Sequence, residues 1–310
     1  MSEELRNIYG KELCKLAESD NRLIVMESDL MGAHGTKIFK EKFPERFIDV
    51  GVAEANMVGI AAGLANMGKI PFIHSFTPFA TRRVYDQLAV SVGLAKLPVK
   101  IVGTDPGVVA ELNGQTHMSF EDAGIMRNLP GFIIVEPVDS VQLKKMLPQI
   151  IDSGKPTYIR LQRKETENFF NESDDFEIGK IKEIKDGTDV TIITSGIMLK
   201  ETMNAAKMAE EEGISVKILN MHTLKPVDEI TIIDAAKKTG AVIVAENHSI
   251  INGWGSAVAE VLCENYPVPL KRIGVKDHYG EVGPLNFLME KYGLKDKHIF
   301  EEIKNILKRK

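Results

Sequence analysis

Hydrophobic positions along this chain fall into two alternating patterns. Short runs rich in β-branched residues, RLIVME, RFIDV, KIPFIHS, PVKIVG, GFIIVEP and PTYIRL, are separated by longer amphipathic stretches over 4–19, 53–66, 84–96 and 139–153. The short runs predict strands and the longer stretches helices. Strands that are apolar almost throughout, with helices between them, imply a mostly parallel, doubly wound α/β sheet covered on both faces. The pattern breaks in TENFFNESDDFEIGKIKEIKDG, where charge and turn-forming residues replace the core-like runs. This segment, 166–187, reads as an interdomain linker with room for a small hairpin. The alternation then resumes with DVTIITSG, ISVKILN, AVIVAEN and PLKRIGV. The expected organisation is therefore a first α/β domain over 1–165 and a second, smaller one over 188–310.

Composition narrows the function classes. The 310 residues carry a net charge of −5 with both signs interspersed, which argues against a nucleic-acid partner. No apolar run approaches the roughly 18 residues of a membrane span, and the start, MSEELRNIYGKELCKLAESD, lacks the basic and apolar regions of an export signal. Cys14 and Cys263 show no metal-ligand or CxxC spacing, as expected of thiols in a reducing, cytoplasmic setting. No metal ligand set is read in this chain.

Doubly wound sheets bind ligands at the carboxyl ends of their strands, so candidate chemistry is sought there. In DVGVAEANMVGIAAGLANMG a strand runs into a helix with Glu54 in its first turn, and Gly59, Ala61, Ala62, Gly63 and Ala65 keep that helix narrow. Such a helix suits close approach of another subunit, which would bury Glu54. The ordinary alternative is a first-turn carboxylate favoured by the helix dipole. In PFIHSFTPFATRRVYDQ, Phe76 and Phe79 follow a strand end, where aromatic rings can stack on a planar ligand or simply join the core; Arg82 and Arg83 follow them. The loop GTDPGVVAELNGQTHMSFED gathers Asp105, Asn113, Gln115, Thr116 and His117. Arg163, just beyond the strand PTYIRL, can clamp a phosphate or form a salt bridge at the rim.

Together these segments resemble the transketolase family of thiamine-diphosphate enzymes, over essentially the whole chain. The resemblance implies a thiamine-diphosphate-enzyme pyrimidine-binding domain followed by a transketolase C-terminal domain. DVGVAEANMVGIAAGLA looks like the helix bearing the cofactor-activating glutamate, which puts that role on Glu54. SFTPFATRRVYDQ resembles the segment whose phenylalanine stacks on the aminopyrimidine, which implies Phe79 with Phe76 nearby and Arg82 or Arg83 beside the cofactor, Arg82 being the expected one. NGQTH resembles the GxTH loop, so His117, with Asn113, is expected to meet substrate hydroxyls and to serve catalysis. YIRLQR resembles the strand whose terminal arginine, here Arg163, meets a sugar phosphate.

Two departures bear on substrate choice: Asn113 stands where relatives usually carry Asp, and a His near Thr104–Asp105 is missing. A larger one is that no GDG motif, which with a later Asn holds metal and diphosphate in full-length relatives, occurs here. The resemblance therefore implies the C-terminal subunit of a split transketolase. Its partner would be an N-terminal subunit with GDG and Asn that holds most of the Mg2+ or Ca2+ coordination, in an α2β2 heterotetramer acting on sugar phosphates. The alternatives are a 1-deoxyxylulose-5-phosphate synthase-like chain, a 2-oxo acid dehydrogenase beta-type subunit and a non-catalytic regulatory subunit.

Overall fold

The structure is a computed structural model that describes residues 4–310. Six strands of the first half lie where the apolar runs predict them: β1 (Leu23–Glu27), β2 (Phe47–Asp49), β3 (Ile70–Phe76), β4 (Lys100–Thr104), β5 (Ile133–Val135) and β6 (Thr157–Leu161). The second half adds β7 (Lys182–Lys185), β8 (Val190–Thr194), β9 (Val216–Asn220), β10 (Thr223–Lys225), β11 (Val242–Ser249) and β12 (Leu270–Val275). They form a seven-stranded sheet, β10-β5-β6-β4-β3-β1-β2, and a five-stranded one, β12-β11-β8-β9-β7. Both are parallel except at one edge each, where β10 and β7 run antiparallel. The expected α/β class with two mostly parallel sheets is thus what the chain adopts.

Alternation along the strands explains the layers, since successive side chains point to opposite faces. Leu23, Val25, Phe72, Val102, Ile159 and Leu161 join one apolar layer, which continues through Val190, Ile192, Ile218 and Ile243 of the second sheet. Ile24, Met26, Ile73, Ile101 and Tyr158 join the other, with Ile193, Leu219 and Val244. The helices Leu5–Ser19, Glu54–Asn66 and Ser140–Asp152 match the predicted stretches closely. The last starts at Asp139, whose carboxylate accepts the N–H of Gln142 at 2.9 Å, satisfying one of the free donors of a helix start. Over 85–93 the helix is short and then widens, with Leu94 N–H bonded to Ala89 C=O.

Two features depart from the linear reading. No hairpin forms in 166–187; its last part, β7, pairs instead with β9 and so belongs to the second sheet. β10, from the second half, pairs with β5 and extends the first sheet. The two halves are therefore interlocked rather than merely tethered. Arg160 of β6, fully buried, strengthens the junction: it donates to Asp122 at 2.6 and 3.1 Å, to Glu136 at 2.6 Å and to the Asn247 carbonyl of the second domain at 2.9 Å. No helix among the described residues is long and apolar enough to cross a membrane.

Candidate active site

The candidate residues converge at the carboxyl ends of β2, β3, β4 and β6. Glu54, the first residue of its helix, is 4% exposed, and its Oε1 accepts the hydroxyl of Ser75 at 3.1 Å. The Arg83 guanidinium reaches both Glu54 oxygens, at 3.1 and 3.0 Å, while its Cζ lies 3.8 Å from the centroid of the Phe79 ring. The short turn Arg82–Val84 sends the two arginines in different directions. Arg82 is the one that leaves the site: exposed, it pairs with Glu121 at 2.8 Å. The arginine against the carboxylate and the ring is Arg83, and Arg82, expected beside the cofactor, turns to Glu121 instead.

Phe76, Phe79 and His117 form an edge-to-face cluster, with centroids 6.4 Å apart for the two phenylalanines and 5.5 and 5.1 Å from them to His117. Offset and edge-on contacts of this kind favour a defined ring geometry. The Thr116 hydroxyl lies 2.9 Å from His117 Nδ1. The loop carrying them has four residues at positive φ, Asp105, Gly107, Glu111 and Gly114. Non-glycine residues tolerate that region only when their surroundings enforce it. Asn113 is exposed at the end of this loop's helical turn.

Arg163 stacks over Phe76 with its Cζ 4.9 Å from the centroid, and its Nε donates to Asp105 at 2.6 Å. The backbone N–H of Arg163 also bonds Asp105, at 3.1 Å. The guanidinium is therefore at the site, held by a carboxylate that any anionic ligand must share or displace.

Below the cluster lies a buried polar network that the sequence reading did not single out. His74 Nδ1 lies 3.0 Å from the Met26 carbonyl, which can only accept, so Nε2 takes the Tyr9 hydroxyl at 2.7 Å. Glu27 accepts His34 Nδ1 at 2.8 Å and the Thr36 hydroxyl at 2.6 Å. Burial pushes the Glu27 carboxyl up to about 7 and the imidazoles of His34 and His74 down to about 3 and 4. Both histidines are thus neutral hydrogen-bonding groups near neutral pH. His34 packs edge-on to Phe76 at 5.7 Å, which braces the site from beneath. The signal for this network was a carboxylate closing an otherwise apolar strand, RLIVME.

An apolar pocket of about 400 Å³ lies elsewhere, at the amino ends of β5 and β6 beside Leu94, Leu129 and Pro156. Its lining includes Lys96 and Lys155 but none of the candidate residues, so it is set apart from the Glu54 cluster. Among the described residues no cluster of His, Cys, Asp and Glu could hold a metal ion.

Residues 2–168 match the domain described as transketolase, pyrimidine binding domain, and 179–299 the transketolase, C-terminal domain. The chain is 52% identical over 306 residues to the 6-deoxy-6-sulfo-D-fructose transketolase subunit SqwH of Clostridium sp. (strain MSTE9), covering 99% of this chain and 95% of that protein. It is 40% identical over 307 residues to a putative transketolase C-terminal section of Methanocaldococcus jannaschii, covering 97% and 96%. Among solved structures, a split gene transketolase described as an inactive beta4 tetramer superposes with a TM-score of 0.91 at 39% identity, covering 99% of each chain.

Proposed function

The chain belongs to the transketolase family, and we propose that it is the C-terminal subunit of a split, thiamine-diphosphate-dependent transketolase. The observation that carries this reading is the buried Glu54 carboxylate joined through the Arg83 guanidinium to the Phe79 ring face at the strand ends. The donor set fits the cofactor: a flat, nitrogen-bearing cation, the Arg83 guanidinium, already meets both the ring and the carboxylate. Glu54 and Phe79, with Phe76 nearby, would hold the aminopyrimidine.

Bound thiamine diphosphate supplies a carbon nucleophile and an electron sink for cleaving the ketose carbon–carbon bond. The chain's own share is position and protons. Glu54 holds a proton in a hydrogen bond to a ring nitrogen, and the buried setting keeps water from competing for it. His117, with Asn113 at the rim, orients sugar hydroxyls, and Arg163 meets a terminal anionic group of the sugar.

We assign the diphosphate and the Mg2+ or Ca2+ mainly to a partner chain, within an α2β2 assembly in the cytoplasm. The name subunit carried by the Clostridium relative supports a partner. The transferred two-carbon unit comes from a ketose, ordinarily a phosphate. The sulfo sugar in that relative's name favours a sulfonated ketose as the second donor to test.

The test is co-expression with a candidate chain bearing GDG and Asn, followed by ketol-transfer assays over phosphorylated and sulfonated ketoses with several aldose acceptors. Activity is expected only in the reconstituted complex. Ketol transfer by this chain purified without a partner would sink the split-enzyme reading.

A further inference from the structure

Arg83 makes two contacts at once that a bound aminopyrimidine would also need. Its Cζ sits 3.8 Å from the Phe79 centroid, at stacking distance, and its Nη1 lies 3.1 and 3.0 Å from the two Glu54 oxygens. A guanidinium can do this because it is flat, delocalised and weakly hydrated, so it stacks through its face while donating from its edge. An aminopyrimidine presents the same combination of a flat face and in-plane nitrogens. One carboxylate and one ring face cannot serve both.

We propose that Arg83 is a gate on the aminopyrimidine seat, occupying it in the free chain and swinging out for the cofactor to enter. This rests on the function proposed above. The two partners are unequal in a way that suits a gate. The Glu54 side chain is 4% exposed and fixed at a helix start, whereas that of Arg83 is 45% exposed and has solvent to turn into. The turn itself is anchored, because the neighbouring Arg82 is held by Glu121 at 2.8 Å and Val84 is buried. Opening therefore requires a rotation of the Arg83 side chain and no movement of the backbone. While the gate is shut the seat is unavailable, and apparent cofactor affinity falls by the fraction of chains that are open.

The experiment is calorimetric titration of the full chain, without any partner, using the fragment 4-amino-5-aminomethyl-2-methylpyrimidine and, separately, thiamine diphosphate. Arg83→Ala is expected to bind the fragment about tenfold or more tighter than wild type, the range for a seat open in roughly a tenth of chains or fewer. Arg83→Lys keeps the charge without the flat fork, and it should also gain. Adding Phe79→Ala to Arg83→Ala should abolish the gain. Binding by Arg83→Ala no tighter than wild type would overturn the gate, and so would a gain confined to Ala, which would implicate charge rather than occupancy. If Arg83→Ala gains nothing while Glu54→Gln and Phe79→Ala weaken binding, the gate falls but the seat stands. If none of these substitutions alters binding, the gate falls and the functional reading falls with it.

Discussion

The side-chain carbonyl of Asn247 accepts the backbone N–H of Val108 at 2.9 Å, so a residue of the second domain holds the loop that carries His117 in the first. The same carboxamide donates to the Pro106 carbonyl, also at 2.9 Å. Between the two bonds lies Gly107, at φ +59, where a Cβ would stand 2.2 Å from Asn247 Oδ1. One amide thus satisfies both sides of a strained turn, and glycine is what lets it approach. This contact gives the second domain a task at the site even though it contributes no residue to the Glu54 cluster.

Replacing Asn247 by Ala would leave the buried Val108 N–H unpaired, at roughly 1–3 kcal/mol of stability, while the Pro106 carbonyl keeps the Val109 N–H at 3.3 Å. The expected kinetic effect is a raised KM for the sugar with exchange at the cofactor's thiazolium C2 unchanged, because His117 moves and Glu54 does not. Unaltered KM in a folded Asn247→Ala complex would separate the second domain from substrate handling.

Glu54→Gln has nearly the same volume and keeps an acceptor for the Ser75 hydroxyl. Fold and assembly should survive, but an amide cannot pass a proton as a carboxyl does. A loss of about 10²–10⁴-fold in ketol transfer and in C2 hydrogen–deuterium exchange is expected. Normal exchange in the assembled variant would return Glu54 to an ordinary helix-terminal carboxylate.

For Arg163→Ala, transfer to acceptors with a terminal phosphate should weaken by on the order of 1.5–3 kcal/mol, with unphosphorylated acceptors much less affected. Because Asp105 loses the guanidinium and keeps only the backbone N–H of residue 163 in the same variant, Asp105→Asn is the companion control. Equal losses for both acceptor classes would assign Arg163 to holding the loop and not to the anion.

The helix Glu54–Asn66 turns Ala55, Gly59 and Gly63 outward between exposed Val52 and Met67, and nothing lies within 4 Å of a Cβ added at either glycine. In the dissociated chain Gly59→Leu should stabilise the helix slightly, since Leu favours helix over Gly by roughly 0.5–1 kcal/mol. It should also disrupt self-association in sedimentation experiments. A variant that still self-associates as wild type does would move the interface elsewhere.

Burial pushes the Glu246 carboxyl up to about 8, although the backbone N–H groups of Gly255 and Trp254 pull the other way. Its folded form holds the proton more tightly than the unfolded chain does, so its contribution is complete below about pH 4.5 and is lost as pH rises through about 8. Glu246→Gln, uncharged throughout, should come close to wild type near about pH 5 and exceed it by roughly 3–5 kcal/mol near about pH 9 in urea unfolding. A difference that stays constant with pH would contradict this.

Apolar periodicity determined much of this protein on its own. Six strands and the helices 5–19, 54–66 and 140–152 follow from it, because each such element is specified by residues adjacent in sequence. The order of the candidate segments also pointed to the strand ends at which Glu54, Phe79, His117 and Arg163 gather. Tertiary structure decided what those segments could not. Whether Arg82 or Arg83 meets Glu54 depends on a short turn and on a partner 29 residues away, and the pairing of Arg163 with Asp105 spans 58 residues. Edge strands β7 and β10 chose partners across the chain, since three or four residues of backbone pairing carry no local sequence code. Ion pairs, edge pairing and the Asn247 clamp are settled by which surfaces packing brings together, and only the folded chain contains that information.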